Sequence, residues 1–510
     1  MRILVWHGWL LEGAGSNVYT ARIVETWRQE GHDVLLLCQE PNPERHPFID
    51  AAGATGRISS IQELGPEPAA GRAVLLRPHI GELLPVFVYD EYEGFRVRTF
   101  ADLPDQDLDA YLEANVTALR DAARWHGSEL VVAGHAFPGA VIARRALQDL
   151  PYVVKVHGSD VEYAIRIQRR YLALAREGLE GATAITGASR DVLDRLVALV
   201  PSVADRVTVA APGVEADRFR PMPRRRALLH TAELLDAEPA RRRGRTADAA
   251  RAAAEAVRGR DADALDRLAG SYDQNAPDAP APSRLRRLAD RDGPLVGYLG
   301  KLIVQKGVHH LINALALLRP RPRALIIGYG TFREWLEGLV VALDRGDAGA
   351  VSFLMDRSPM TSDLSPEEIV AAAGLADDVT FTGRLNHRYA APAVAAVDVL
   401  VVPSILEEAF GMVAVEGTAA GALPLVARHS GLAEVATDLE ARIGRPGLLS
   451  YQPGPHAARS LAASLHTLLS LTEAERDALS GELSAYARRR WGWQRTARDL
   501  LTAAAGGSTS

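Results

Sequence analysis

Val399-Leu400-Val401-Val402-Pro403-Ser404-Ile405-Leu406-Glu407-Glu408-Ala409-Phe410-Gly411-Met412-Val413-Ala414-Val415-Glu416 is the stretch whose reading decides the fold. Its first four residues are an apolar run bounded by Pro403, which predicts a buried strand. An Ala-Phe-Gly turn follows Glu408. The expected order is therefore a strand, a loop bearing Glu408, and a helix that opens near Gly411 and carries Glu416 inward. A helix start presents unpaired N–H groups and partial positive charge, which suits an anion. Carboxylates accept paired hydrogen bonds and suit sugar hydroxyls. A sugar joined to a diphosphate needs both. The plainer alternative is an exposed loop Glu followed by a solvated helix Glu, because such spacing recurs by chance.

The same alternation extends in both directions. Strands are expected at Ile3 to Val5, Asp33 to Leu37, Leu130 to Ala133, Tyr152 to Val156, Ala184 to Thr186 and Val207 to Ala210. Helical spacing marks Asn17 to Glu30, Tyr111 to Trp125 and Arg166 to Gly178. Strands resume at Leu295 to Leu299, Ala324 to Ile327, Val379 to Thr382, Val397 to Val402 and Leu423 to Ala427. Strand-helix alternation implies parallel sheets covered on both faces. The fold class is α/β, with two doubly wound Rossmann-like domains and small molecules expected at the carboxyl ends of the strands, in the cleft between the domains.

The domains are expected at 1–220 and 293–475, with C-terminal helices over 476–510 that cross back to the first. Between them, 221–292 is rich in Arg and Ala, with Arg224-Arg225-Arg226 and Arg241-Arg242-Arg243. It reads as an inserted, partly helical, mobile segment whose basic triplets are a solvated face. A second insertion, Asp344 to Pro366, reads as polar and irregular. Leu461 to Arg488 reads as helical, Gln494 to Ala505 as a last helix, and Gly506 to Ser510 as a disordered tail.

The 510 residues suffice for two or three domains, and 47% apolar with 24% charged residues is ordinary for a globular protein. A net charge of −6 gives no reason to expect nucleic acid or an anionic membrane as partner. The single cysteine, Cys38, excludes an internal disulfide and fits a reducing cytosol, so a cytoplasmic location is expected. Met1 to His7 reads as a first strand and not as a signal peptide, and no stretch approaches the ~18 apolar residues of a membrane span. Scattered histidines, with His309 and His310 adjacent, argue against a metal site. No metal or other cofactor is expected.

Other motifs flank the same strand ends. Glu12-Gly13-Ala14-Gly15-Ser16-Asn17 opens a helix, where Gly13 and Gly15 allow close backbone approach to a phosphate or are plain turn glycines. Lys301 and Lys306 straddle a strand-to-helix turn and could clamp a diphosphate, although lysine pairs are most often solvent-facing. His135 and His157 each follow a strand; a histidine there is often only a structural hydrogen-bonder. Asp160 has a helix N-cap as its simpler role.

With these residues in hand, the string through Glu408 and Glu416 resembles the signature of the family-4 retaining glycosyltransferases. There a Glu-x7-Glu follows a strand ending Pro-Ser and encloses Phe-Gly. The resemblance implies the GT-B fold and a metal-independent, retaining transfer of a sugar from a nucleoside diphosphate, UDP most of all, to an acceptor hydroxyl. It implies that Glu408 meets the donor sugar and Glu416 the ribose. Phe410, Gly411 and Met412 form the helix start, with Gly13 and Gly15 facing the diphosphate. Gly300-Lys301-x4-Lys306-Gly307 resembles the family's Gly-Arg-x4-Lys-Gly motif, with Lys301 where Arg is usual. Arg384 and Leu385 stand beside the nucleoside, and Tyr329 stands where the family has a small or acidic residue. Ser430-Gly431-x-x-Glu434 replaces Gly-Gly-x-x-Glu. His157 is implied at the donor sugar, with His7, Trp9, Glu12, His135 and Asp160 on the acceptor side. The rival readings are a nucleotide-sugar epimerase of the same fold and a binding protein without turnover.

Overall fold

The central strands carry apolar runs because a parallel sheet covered on both faces buries both sides of each strand. Ile3, Leu4 and Trp6 are fully buried, as are Leu35, Leu36 and Leu37. The computed structural model describes all residues except 57–60, 67–69, 89–91, 93 and 507–510. The expected tail therefore lies outside the described residues from 507 on. The chain divides into two units: Met1–Gly213 together with the chain from Trp491 on, and Val214–Arg490.

Among the described residues the first unit is built on a nine-stranded sheet. Its strands are β1 (Arg2–Trp6), β2 (Asp33–Leu37), β3 (Ala51–Ala54), β4 (Gln62–Glu63) and β5 (Ala73–Arg77). A separate pair, β6 (Leu83–Val86) and β7 (Arg96–Thr99), precedes β8 (Leu130–Gly134), β9 (Tyr152–Lys155), β10 (Ala184–Gly187) and β11 (Val207–Val209). The order is β11-β10-β9-β8-β1-β2-β5-β3-β4, parallel except for the antiparallel pair β3 and β4. Chain order runs outward from the junction of β1 and β8 through β9, β10 and β11 on one side and to β2 on the other, where β5 then stands between β2 and β3, so the topological switch point lies at that junction.

The second unit carries β12 (Leu295–Lys301), β13 (Arg323–Tyr329), β14 (Val379–Phe381), β15 (Val399–Val402), β16 (Leu423–Ala427) and β17 (Ser450–Tyr451). They form a parallel sheet in the order β14-β13-β12-β15-β16-β17. Its switch point lies between β12 and β15, where Val296 pairs with Val399 and Gly297 with Leu400. A Cβ on Gly297 would stand 2.8 Å from the Val397 side chain, so this contact requires glycine.

Three expectations need correction. The segment 221–292 is not a mobile insertion; it forms helices Arg224–Asp236, Ala247–Gly259, Ala262–Ala269 and Ala281–Ala289 that belong to the second unit. Leu228, Leu235, Leu265 and Leu285 are fully buried, and Arg224 grips Asp398 through two bonds of 2.6 and 2.5 Å. Arg245, 1% exposed, pairs with Glu334 at 2.6 Å and Glu337 at 2.7 Å. Burial opposes its charge, but the bond to Glu334 and the two carboxylates hold it protonated. Second, the stretch 344–366 contains the helix Ala348–Arg357, which buries Val351 and Leu354. Third, the C-terminal boundary falls at Trp491: helix Glu473–Arg490 belongs to the second unit and only helix Trp493–Ala504 to the first. No described helix is long and apolar enough to cross a membrane.

Candidate functional site

In the second unit, the loops leaving the two switch-point strands are bound to each other. After β12 the chain makes a short turn, Val304–Lys306, and Gly307 takes a left-handed φ of 67° before helix Val308–Leu317. A Cβ on Gly307 would lie 1.9 Å from the Pro403 carbonyl oxygen, so only glycine lets this turn reach the loop after β15. The Gln305 carbonyl then accepts from the N–H groups of Ile405 (2.8 Å) and Leu406 (3.1 Å). This backbone clasp sets the Lys306 ammonium against the Glu408 carboxylate in an ion pair. Ser404 Oγ donates to the same Glu408 oxygen at 2.7 Å. Burial alone would raise the Glu408 carboxyl, but the Lys306 charge and the bonds from Lys306 and Ser404 outweigh it and hold the group below the usual carboxylate range.

A second set of bonds fixes the loop from behind. The Glu408 N–H donates to Ser430 Oγ at 3.0 Å. Ser430 Oγ lies 3.0 Å from His429 Nδ1, and His429 Nε2 lies 2.7 Å from the Ser404 carbonyl. A carbonyl can only accept, so Nε2 carries the proton and Nδ1 accepts from the Ser430 hydroxyl. Ser430 has a φ of 49°, the left-handed region that costs a non-glycine residue about 1 kcal/mol. This is the position where the motif ordinarily has glycine. The hydroxyl's two bonds offset the strain.

Helix Met412–Ala420 starts after Gly411 at a φ of 101°, and no side chain caps it. Its N–H groups therefore face the end of β15 with partial positive charge. Glu416, one turn on and 5% exposed, lies 3.6 Å from His387 Nε2, whose Nδ1 is 2.9 Å from Glu215. The Lys301 ammonium stands 5.9 Å from the Tyr329 ring centre, and the Arg384 guanidinium 4.9 Å from the same ring. Asn275 accepts from Arg384 at 2.8 Å, and Asp278 N–H donates to the Thr382 carbonyl at 2.8 Å. Leu385 is buried. The segment 221–292 thus supports the loop that follows β14.

At the first unit's switch point, His7 follows β1 and His135 follows β8. Their rings stack 6.1 Å apart, and His157, after β9, is 4.4 Å from His135. Trp9 and Phe87 close on His135 at 4.5 and 5.0 Å. Asn17, in the first turn of helix Gly15–Gln29, meets His7 at 2.9 Å and donates to the Glu12 carbonyl at 2.6 Å, tying the Gly13–Gly15 loop to the histidines. Burial lowers His7 to about 4, and burial, reinforced by the neighbouring histidines, holds His135 and His157 well below their usual value. Lys155, buried beneath Tyr19, donates to the Ala210 carbonyl at 2.8 Å and is lowered by burial to about 7.

Asp160 departs from the acceptor-side expectation. It is fully buried and accepts from the N–H groups of Ala136 (2.6 Å), Gly158 (2.8 Å) and Val161 (3.1 Å). Both oxygens serve backbone, so it pins the His135 and His157 loops together. Burial raises it to about 6 against those three bonds.

Sequence reasoning placed Trp9 on the acceptor side but missed His387, Glu215, Lys155, Phe87, the role of Asn17 and the Ser404–His429–Ser430 set. Of these, Asn17, Ser404 and Ser430 lay inside a quoted motif. Among the described residues no group of three His, Cys, Asp or Glu side chains is placed to hold a metal ion.

Comparison with known proteins fits this geometry. Residues 14–213 match the family model "Glycosyl transferase 4-like domain", and residues 362–484 match "Glycosyl transferases group 1". The chain is 34% identical over 147 residues to the 2-deoxystreptamine glucosyltransferase of Streptomyces kanamyceticus, covering 28% of this chain and 31% of that protein. The matched stretch thus spans about a third of that relative's length. Sucrose-phosphate synthase from Thermosynechococcus elongatus superposes with a TM-score of 0.59 at 18% identity, over 98% of this chain and 97% of that one. Anabaena HepE, solved with UDP and glucose, gives 0.57 at 16% identity over 99% and 100%. The two matched domains, in this order and on this pair of parallel sheets, indicate a glycosyltransferase of GT-B type.

Proposed function

We propose that this chain transfers a sugar from a nucleoside diphosphate to an acceptor hydroxyl with retention of configuration and without a metal, UDP being the carrier favoured. The observation that carries the reading is the Lys306–Glu408–Ser404 set beside the uncapped start of helix Met412–Ala420, at the switch point of the second sheet. The likeness of the Glu408–Glu416 string to the family-4 retaining pattern supports the stereochemistry. The UDP and glucose of HepE support the carrier.

In this scheme Glu408 orients the donor sugar and Glu416 holds the ribose. The acceptor oxygen bonds to the anomeric carbon on the face that the diphosphate leaves. The bond from that carbon to the phosphate oxygen breaks, and the departing phosphate takes the hydroxyl proton. Negative charge then grows on the diphosphate, where Lys306 and the helix start meet it, and such preorganised charge is usually the largest catalytic contribution. Neutral His135 and His157 suit hydrogen bonding to an uncharged acceptor hydroxyl, whereas both ring nitrogens of His7 are taken by Asn17 at 2.9 Å and Thr20 at 3.1 Å, so His7 supports the site from behind.

The test is a panel of UDP-, GDP-, ADP- and dTDP-sugars with candidate acceptors, read by release of free nucleoside diphosphate and by the anomeric coupling of the product. Release that depends on the acceptor, with the donor's anomeric configuration kept, is expected. An epimerised donor without acceptor, or binding without turnover across the panel, would overturn it.

A further inference from the structure

Behind the Glu408 loop lies a cavity of about 520 Å³, inside the range of small-molecule sites. Lys306, Glu408 and Glu416 are not among its walls, although Ser404 and His429 are shared with the set described above. Its polar lining includes His309, His310, His429, Ser404 and Thr361, and it contains no lysine or arginine. Glu407 supplies a carboxylate, which makes a phosphate an unsuitable occupant. Burial lowers both His309, to about 3, and His310, so each offers one donor and one acceptor as a neutral imidazole. Tyr451, Pro403 and Pro453 add flat apolar faces of the kind that match the C–H face of a sugar ring.

One atom points more directly to a ligand. His309 is 1% exposed, and its Nδ1 has no hydrogen-bond partner within the protein. A buried polar atom left unmatched is unfavourable, and a ligand hydroxyl that reached it would relieve that cost. Two wall residues also touch the Glu408 network. Ser404 Oγ donates to the Glu408 carboxylate at 2.7 Å, and His429 reaches the Glu408 N–H through Ser430.

We propose that this cavity is a second saccharide site: an uncharged sugar of one or two rings, bonded to His309 and His310, occupies it and shifts the Ser404–Glu408 set. The regulatory half of this proposal rests on Glu408 belonging to the donor site; the binding half does not. Coupling of this kind is reciprocal, so donor nucleotide and saccharide must alter each other's affinity by the same factor.

The experiment uses the full chain with glucose and maltose as probes, inorganic phosphate as the charged contrast and UDP as the independent ligand. Either sugar at about 50 mM is expected to raise Tm by about 2 °C, while phosphate does not. Ile405 lines the cavity and is 50% exposed, so Ile405→Trp fills it without disturbing the core. Ile405→Trp and His309→Phe should each abolish the sugar shift and keep the UDP shift, whereas Glu408→Gln should keep the sugar shift. Saturating maltose should change the UDP Kd twofold or more in the wild type and not in Ile405→Trp. No sugar shift, a shift that survives both cavity variants, or an equal shift from phosphate would each overturn the site. An unchanged UDP Kd would overturn the coupling. A sugar shift without any UDP response would remove the donor reading and leave the pocket standing.

Discussion

At the first unit's switch point the buried ionisable groups sit at or near their neutral forms, whereas around Glu408 and Arg245 in the second unit they are charged and paired. His7, His135, His157 and Lys155 are all pushed by burial toward the uncharged state. Glu408 with Lys306, and Arg245 with Glu334 and Glu337, keep their charges because a partner of opposite sign stands within bonding distance. The same two folds of strand and helix therefore produce two different solvents. One suits uncharged hydroxyls; the other suits a ligand whose charge grows during the reaction.

The largest test of this contrast is Arg245→Met. It leaves Glu334 buried without its cation, while Glu337 keeps Arg333 at 2.6 Å, and should destabilise the second unit by about 3–5 kcal/mol in urea unfolding. Adding Glu334→Gln should recover most of the loss. A cost below about 1 kcal/mol would mean that the pairing contributes little. For the same reason, deleting Arg224 to Asp290 should leave no folded second unit.

Next comes Lys306→Ala, expected to lower kcat by about 10²- to 10³-fold while moving the donor KM less, as loss of a transition-state contact does. A raised KM with near-normal kcat would leave Lys306 as a docking charge. Lys301→Ala should cost less, since Lys306 is the ammonium seen paired with Glu408.

Lys155 tests the neutral side. The folded lysine loses its proton near pH 7, the unfolded one near 10.5. Between those values the unfolded chain binds more protons, so stability rises with pH across that window, and below about 7 the full penalty is present. Lys155→Met should therefore be more stable than wild type at pH 6, by a few kcal/mol at most. The gap should close as pH rises toward 9 in matched thermal melts. A gap that does not depend on pH would mean that Lys155 is not the group titrating.

The smallest expected effect is at Glu416→Gln. Its removal should weaken UDP and the intact donor alike, by roughly tenfold, as for a hydrogen bond to a charged group. Calorimetry showing unchanged UDP affinity would assign Glu416 to holding His387 instead.

These outcomes bear on what a single sequence can disclose. Most strands of both sheets were legible because each is a short uninterrupted apolar run, and Asp33–Leu37 and Leu423–Ala427 lie where the sequence places them. Between Ala51 and Thr99, Gln62–Glu63 and Arg96–Thr99 were missed because they are short and polar, and Ala73–Arg77 was missed although it is a buried apolar run. The segment 221–292 was misread because arginine-rich composition looks solvated, while the acids that neutralise Arg245 stand about ninety positions on. In the candidate site, Glu408 and Lys306 were legible from their motifs. The His387–Glu215 contact, 172 residues apart, carries no local signature. Asp160 was given to the acceptor because sequence shows its charge and not its three backbone donors.

The division of the chain also sets a timetable for synthesis. Helix Trp493–Ala504 covers the first unit: Trp493 packs on Tyr19 at 5.6 Å, and Thr496 donates to the Ala211 carbonyl at 2.8 Å. A Cβ on Gly213 would lie 2.6 Å from the Trp493 backbone. The second unit is one continuous stretch and can close its core as it leaves the ribosome. The first emerges earlier but stays open along the helix Gly15–Gln29 until all of Val214–Arg490 has followed it. The half of the molecule made first is the half that finishes last.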